Sequence, residues 1–229
     1  MDLTGSIIAR DCPEAWFLCL RAILVEGRRY TIDKGSFAGH DRIELDWVNL
    51  CLTHPSNRPL SPQLPPYLPD VIAPVTDTQI EEYAQTLLQY HPVGRADYHY
   101  GEFLNPQVDE VIRQYKEGGF NSNRLCMMLG DMHSVFAYRD ETGQREVHSP
   151  CLRVVDTAIR DGALHFYCYF RSWDAWAGLP SNLGGLALLM EFMAEILEVS
   201  VGMLRACSKG LHLYDFEETW ARAVCEEVG

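Results

Sequence analysis

Residues 153–199 read RVVDTAIRDGALHFYCYFRSWDAWAGLPSNLGGLALLMEFMAEILEV, and this run sets the fold class. Arg153–Ile159 and Leu164–Phe170 are rich in β-branched and aromatic residues. They join through Arg160-Asp161-Gly162-Ala163, where Asp-Gly suits a tight hairpin turn. In the second segment Leu164, Phe166, Cys168 and Phe170 share one face, and His165, Tyr167, Tyr169 and Arg171 the other, as in a half-buried strand. Leu183–Val199 is apolar nearly all round (Leu186, Leu189, Met190, Met193, Ile196, Leu197), which predicts a long, central buried helix.

Upstream, Gly5–Arg10 reads as a strand. Asp11 supplies an N-cap and Pro13 the N1 position for a helix through Trp16, Leu20 and Ile23 to about Glu26. His54–Pro74 holds seven of the twelve prolines, so it is neither a regular helix nor a central strand, and we read a long strap across one domain. Thr78 and Glu81 have capping-box spacing ahead of a stripe of Ile80, Tyr83, Ala84, Leu87 and Leu88, which predicts a helix to about Tyr90. Asn105-Pro106 opens another helix, closed by Gly118-Gly119. No internal repeat is visible, and the order of elements predicts one α+β domain over residues 1–229.

The chain carries a formal charge of -13 and 47% apolar residues. A chain this long buries roughly 70% or more of its unfolded surface, enough for a substantial core. That excludes disorder, collagen and membrane spanning. The charge argues against bulk nucleic-acid binding, which needs a positive face. Among the basic residues 16 of 19 are Arg, and guanidinium forks in a cleft can still grip one small anion; a GC-rich genome produces the same bias without function. The eight cysteines form no C-x-x-C pair, so neither a metal site nor a disulfide framework is expected. The start carries no signal-peptide pattern, and a cytoplasmic location is expected.

Three segments concentrate reactive side chains: SPCLR at 149–153, FRSWDAWAGLPSN at 170–182 and KGLHLYD at 209–215. Singly each has an ordinary explanation: Cys151 as a buried thiol, Arg171 as a surface ion pair, Asn182 as a helix cap, His212 and Tyr214 as sheet surface. Together, Pro150-Cys151, Arg171-Ser172-Trp173-Asp174, Gly178-Leu179-Pro180-Ser181-Asn182 and His212-Leu213-Tyr214 occur in the order found in the thymidylate synthase family, which the chain resembles, in its shorter archaeal-type form.

The resemblance implies a thymidylate synthase-like fold, a mixed β-sheet flanked by helices, in a sheet-to-sheet homodimer. It implies a reaction of 2′-deoxyuridylate (dUMP) with 5,10-methylenetetrahydrofolate, or a tetrahydromethanopterin-type analogue, giving thymidylate with no metal. The chemistry needs those residue types: C5 of uracil is a poor nucleophile until a thiolate adds to C6, so the site requires a thiolate, an enolate stabiliser and a reader of the pyrimidine edge. By resemblance Cys151 is the nucleophile, and Arg171 with Ser172 binds the phosphate. The Asn182 amide matches O4 and N3–H of uracil, whereas an Asp there would suit cytosine. His212 and Tyr214 bind the sugar 3′-hydroxyl, Asp174 contacts the pterin, and Trp173 or Trp176 lies on the folate side.

Further upstream, Tyr100-Gly101 resembles the family's Tyr-Gly, which implies that Tyr100 assists loss of the C5 proton. The resemblance further implies Glu81, or else Glu82, as the proton-relay acid, Arg42 as the candidate flexible-loop arginine on the phosphate, and Arg124 as the residue that reaches the partner subunit's phosphate. Asn123 replaces an Arg, Leu152 follows the nucleophile where many members have His, and Phe170 stands where many have Gln. The folate-covering insertion of larger members, with its Trp, is absent between Glu82 and Tyr100. Two other readings therefore stay open: a pyrimidine nucleotide 5-hydroxymethylase, and a catalytically silent nucleotide- or RNA-binding member.

Overall fold

The computed structural model describes residues 4–34, 37–64, 66, 68, 70–89, 100–136 and 149–228. The hairpin forms as expected: β6 (Leu152–Arg160) pairs antiparallel with β7 (Ala163–Phe170) through Asp161 and Gly162 at φ 52° and 73°. Both angles are left-handed, as a two-residue hairpin turn of matching twist requires. Leu164, Phe166, Cys168 and Phe170 are buried.

Six strands make the larger sheet, in the order β1 (Thr4–Ala9), β4 (Trp47–Leu52), β9 (Ser200–Ser208), β7, β6, β5 (Cys126–Met128). Its pairs β1/β4 and β7/β9 are parallel and the rest antiparallel. A second sheet runs β2 (Arg28–Thr31), β3 (Asp41–Leu45), β10 (Leu211–Tyr214), β8 (Trp173–Asp174). Helix α1 (Cys12–Glu26) starts at Asp11, whose carboxylate accepts from Glu14 N, and α4 (Gly178–Ile196) packs with α1 in the centre. One contiguous apolar cluster links these helices to both sheets. Helices cover one face of the six-stranded sheet; on the other, Ile8 is 73% exposed and lies with Asn49, Cys51, Tyr167, Arg205 and Cys207 around a shallow depression. The described part of 54–76 contains no helix or strand, and no described helix is long and apolar enough to cross a membrane.

Three boundaries differ from the sequence reading. Helix α2 (Asp77–Thr86) is capped by Thr76 with Gln79, not by Thr78 with Glu81: Gln79 N donates to Thr76 Oγ1 at 3.3 Å and Thr76 N to Gln79 Oε1 at 2.9 Å. Both pairs satisfy the spacing, and the extended backbone at Thr76 selects the earlier one. The helix stops at Thr86, and Tyr90 lies outside the described residues. Helix α3 (Tyr100–Gly118) begins before Asn105-Pro106 and carries Pro106 inside it, at an exposed position where one intrahelical hydrogen bond is forgone. Helix α4 starts at Gly178 rather than Leu183, because Asp174 accepts from Trp176 N and Gly178 N, both at 2.9 Å. Pro180 then falls in the first turn, where no intrahelical donor is needed.

Candidate active site

Cys151 sits half-buried just before β6, next to a register shift between Leu152 and Val154 that bends the strand start. Arg171, at the end of β7, holds that approach through the backbone. Its N–H donates to Cys151 O at 2.9 Å, its Nε to Pro150 O at 3.1 Å and its Nη2 to Ser149 O at 2.5 Å. From the other side Tyr100 Oη accepts Leu152 N–H at 3.2 Å. Tyr100 can reach because Gly101 lies against the Thr86 and Gln89 carbonyl oxygens, where a Cβ would overlap them. Cys151, Arg171 and Tyr100 thus converge.

The second sheet supplies the next group. Register pairs His212 with Asp174 and Tyr214 with Arg42. His212 is 2% exposed and its Nδ1 lies 2.9 Å from Gly210 O, so Nδ1 carries the proton and donates. Burial, then the Arg42 charge, lowers its pKa to about 4. The ring is therefore neutral, and its buried Nε2 is an acceptor with no partner among the described residues. Burial pushes the Tyr214 phenol up to about 12, with the charges of Asp174, Glu217 and Cys151 adding to the rise.

Arg42 requires a correction. It is a residue of strand β3, not of a flexible loop, because the β2–β3 connection ends at His40. Its Nη1 donates to Glu44 Oε2 at 3.1 Å, and its guanidinium lies 5.8 Å from the Tyr214 ring centre. Its buried Nε has no partner among the described residues.

Asn182, in the second turn of α4, does not cap that helix. Its Oδ1 accepts Trp173 Nε1–H at 3.0 Å, and its Nδ2 donates to Tyr83 Oη at 2.7 Å. Trp173 is 2% exposed and stacks on Phe170 with ring centres 4.0 Å apart and planes 5° from parallel. Trp176 is 3% exposed, between Trp16 and Trp220. Neither indole presents a face to a cofactor, because both rings are used to close the core. Asp174 is the member of that set that fits a donor-rich ring: its carboxylate accepts two backbone N–H groups, from Trp176 and Gly178, and a carboxylate has capacity for about four.

Glu81 and Glu82 are both exposed on α2, and the α2 side chain that reaches Asn182 is Tyr83. At helical spacing Tyr83 reads as one more member of an apolar stripe, and its hydroxyl is the signal that sets it apart. The buried Glu217 at the start of α5 (Asp215–Val228) was also missed. Its Oε2 accepts Tyr214 N–H at 3.0 Å, and burial and the Asp174 charge raise its pKa to about 8. Ser172 lies half-buried in the turn between β7 and β8, and Arg124 is exposed in the α3–β5 connection.

A sequence profile described as thymidylate synthase matches residues 98–224. A Methanosarcina mazei protein provisionally named a thymidylate synthase is 29% identical over 220 residues, covering 93% of this chain and 91% of its own. One of the same provisional name from Methanothermobacter thermautotrophicus is 32% identical over 142 residues, 60% of each chain. Among solved structures, the thermostable thymidylate synthase A from Bacillus subtilis superposes with a TM-score of 0.67 at 15% identity, over 94% of this chain and 84% of that one.

Proposed function

The chain belongs to the thymidylate synthase family, and from that premise we propose that it methylates 2′-deoxyuridylate at C5 to form thymidylate. The observation that carries this reading is the buried, neutral His212, whose Nε2 is an acceptor with no partner among the described residues and whose ring lies 4.9 Å from that of Tyr214. A buried acceptor without a donor costs about 1–3 kcal/mol, which a sugar 3′-hydroxyl would recover.

In the proposed reaction the Cys151 thiolate adds to C6, and electron density moves to O4 and C5. Asn182 holds the base edge, Arg171 and Ser172 hold the phosphate, and Arg42 adds positive charge near the sugar. Tyr100 accepts the hydrogen bond of Leu152 N–H, and in this role it assists proton loss from C5 before the thiolate departs from C6. A reduced methylene pterin, tetrahydrofolate or a methanopterin-type analogue, supplies the one-carbon unit and the hydride when bound. Asp174 is the residue that would hold it. The proposal treats residues 1–229 as one such unit, since a single apolar cluster joins both sheets. It makes the uncovered face around Ile8 and Tyr167 the contact between two copies, with Arg124 reaching the partner's phosphate.

The burial of Trp173 and Trp176 favours a second reading, a 5-hydroxymethylase, because neither ring is placed to keep water from the one-carbon intermediate. Incubation with deoxyuridylate and methylenetetrahydrofolate, with the product weighed by mass spectrometry, tests both. Thymidylate with dihydro-cofactor supports the synthase. A hydroxymethyl product overturns it, and absence of tritium release from C5-labelled deoxyuridylate removes both.

A further inference from the structure

We propose that Trp173 and Tyr83 lock the Asn182 amide in one orientation, and that this lock lets the chain prefer a uracil edge over a cytosine edge. The inference rests on the pyrimidine-nucleotide reading above. An asparagine amide presents a carbonyl and an amine of nearly equal shape, and a half-turn exchanges them. Uracil offers an acceptor at O4 and a donor at N3, whereas cytosine offers a donor at N4 and an acceptor at N3. An amide free to turn therefore pairs with either base, and Asn alone does not discriminate.

Here the amide is not free to turn. The Trp173 indole N–H is a donor only and meets Oδ1 at 3.0 Å. The indole cannot swing away, since it is buried and stacked on Phe170 at 4.0 Å. Turning Asn182 over would set its amine against that N–H. A buried hydrogen bond lost in this way corresponds to roughly ten- to a hundredfold in binding.

Tyr83 holds the other end: its oxygen accepts Nδ2–H at 2.7 Å and keeps the amide in plane. The phenol arrives by way of a close α2–α4 crossing. A Cβ on Gly185 would stand 2.5 and 2.6 Å from two Tyr83 ring carbons, and one on Gly184 would meet Ile80 at 2.6 Å. After both bonds are made, the amide retains capacity for one more N–H donation and one more accepted bond, the pattern that O4 and N3–H of uracil complete. Tyr83 and Trp173 are thus positioning residues, acting on the base through Asn182.

Calorimetric titration of deoxyuridylate and deoxycytidylate into wild type, Trp173→Phe and Tyr83→Phe tests this. Wild type should favour deoxyuridylate. Trp173→Phe keeps the stacking and removes the N–H, so the ratio of the two affinities should narrow by about tenfold or more, through gained deoxycytidylate binding. Tyr83→Phe should weaken both ligands with a smaller change in ratio. An unchanged ratio in Trp173→Phe overturns the lock and leaves the nucleotide reading standing, whereas a wild type that binds neither nucleotide overturns that reading and the proposal with it. Should Trp173→Phe fail to fold, side-chain amide NMR of the wild type decides: one exchange-protected Asn182 NH2 pair supports the lock, and interconverting or unprotected signals refute it.

Discussion

Around Cys151 the site leans on backbone. Arg171 grips three main-chain carbonyls, Tyr100 takes the N–H of Leu152, and Gly101 lets two helices touch. Around His212 it leans on side chains taken out of water: a neutral imidazole, the half-buried Asp174, the buried Glu217, and a guanidinium whose Nε has no partner among the described residues. The first side can lose the Cys151 thiol without disturbing what holds the chain there. The second couples ligand binding to stability, because each of its groups carries a desolvation cost in the free protein.

The largest expected effect follows from the first side. Cys151→Ala should lower turnover on the order of 10³-fold or more while shifting Tm little, the residue being half-buried and its neighbours held by main chain. Tritium release and thermal denaturation measure the two quantities; a parallel fall in both would break the comparison. Gly101→Ala, on the same side, should instead cost about 2–4 kcal/mol in denaturant unfolding. The overlap there is with the backbone carbonyls of Thr86 and Gln89, which cannot step aside like a flexible side chain.

On the second side the effects should follow pH. The folded pKa of His212 is about 4 against 6.5 unfolded. The unfolded chain therefore binds more protons between those values, so stability is fully present above pH 6.5 and is lost as pH falls toward 4. Wild type should lose about 2 kcal/mol across that window and His212→Gln much less, by urea titration at several pH values. Glu217 runs the opposite way, raised from 4.5 to about 8. Its contribution is present below pH 4.5 and lost as pH rises through 8. Glu217→Gln should thus be about 1 kcal/mol more stable than wild type at pH 8 and no better at pH 4.5, the smallest effect of the four. Equal slopes in wild type and both variants would show that the second side is no more coupled to stability than the first.

Local patterning made several elements legible: the Asp-Gly hairpin, the Asp11 cap and the buried character of α4 are stated by residues within one turn of each other. Where two local signals competed, the sequence could not rank them. Thr76 with Gln79 and Thr78 with Glu81 have the same spacing, and only the extended backbone at Thr76 selects between them. The start of α4 lay out of reach for a related reason: the N–H groups of Trp176 and Gly178 are taken by Asp174, which belongs to strand β8.

The candidate site divides in the same way. Its candidate groups were legible because chemistry restricts their types: a thiol at 151, guanidinium at 171, amide at 182 and imidazole at 212. The partners that orient them were not. Tyr83 stood in an apolar stripe at helical spacing, and Trp173 and Trp176 stood beside the motif like ligand-facing aromatics. Packing sends both indoles inward and the Tyr83 hydroxyl onto Asn182, 99 positions away in the chain. Residue type and short spacing determine what a side chain can do, since those depend on covalent chemistry and on one turn of backbone. Which neighbour it meets, how far it leaves water and which proton it keeps are decided by tertiary structure, because desolvation and hydrogen-bond geometry arise only when distant segments close around it.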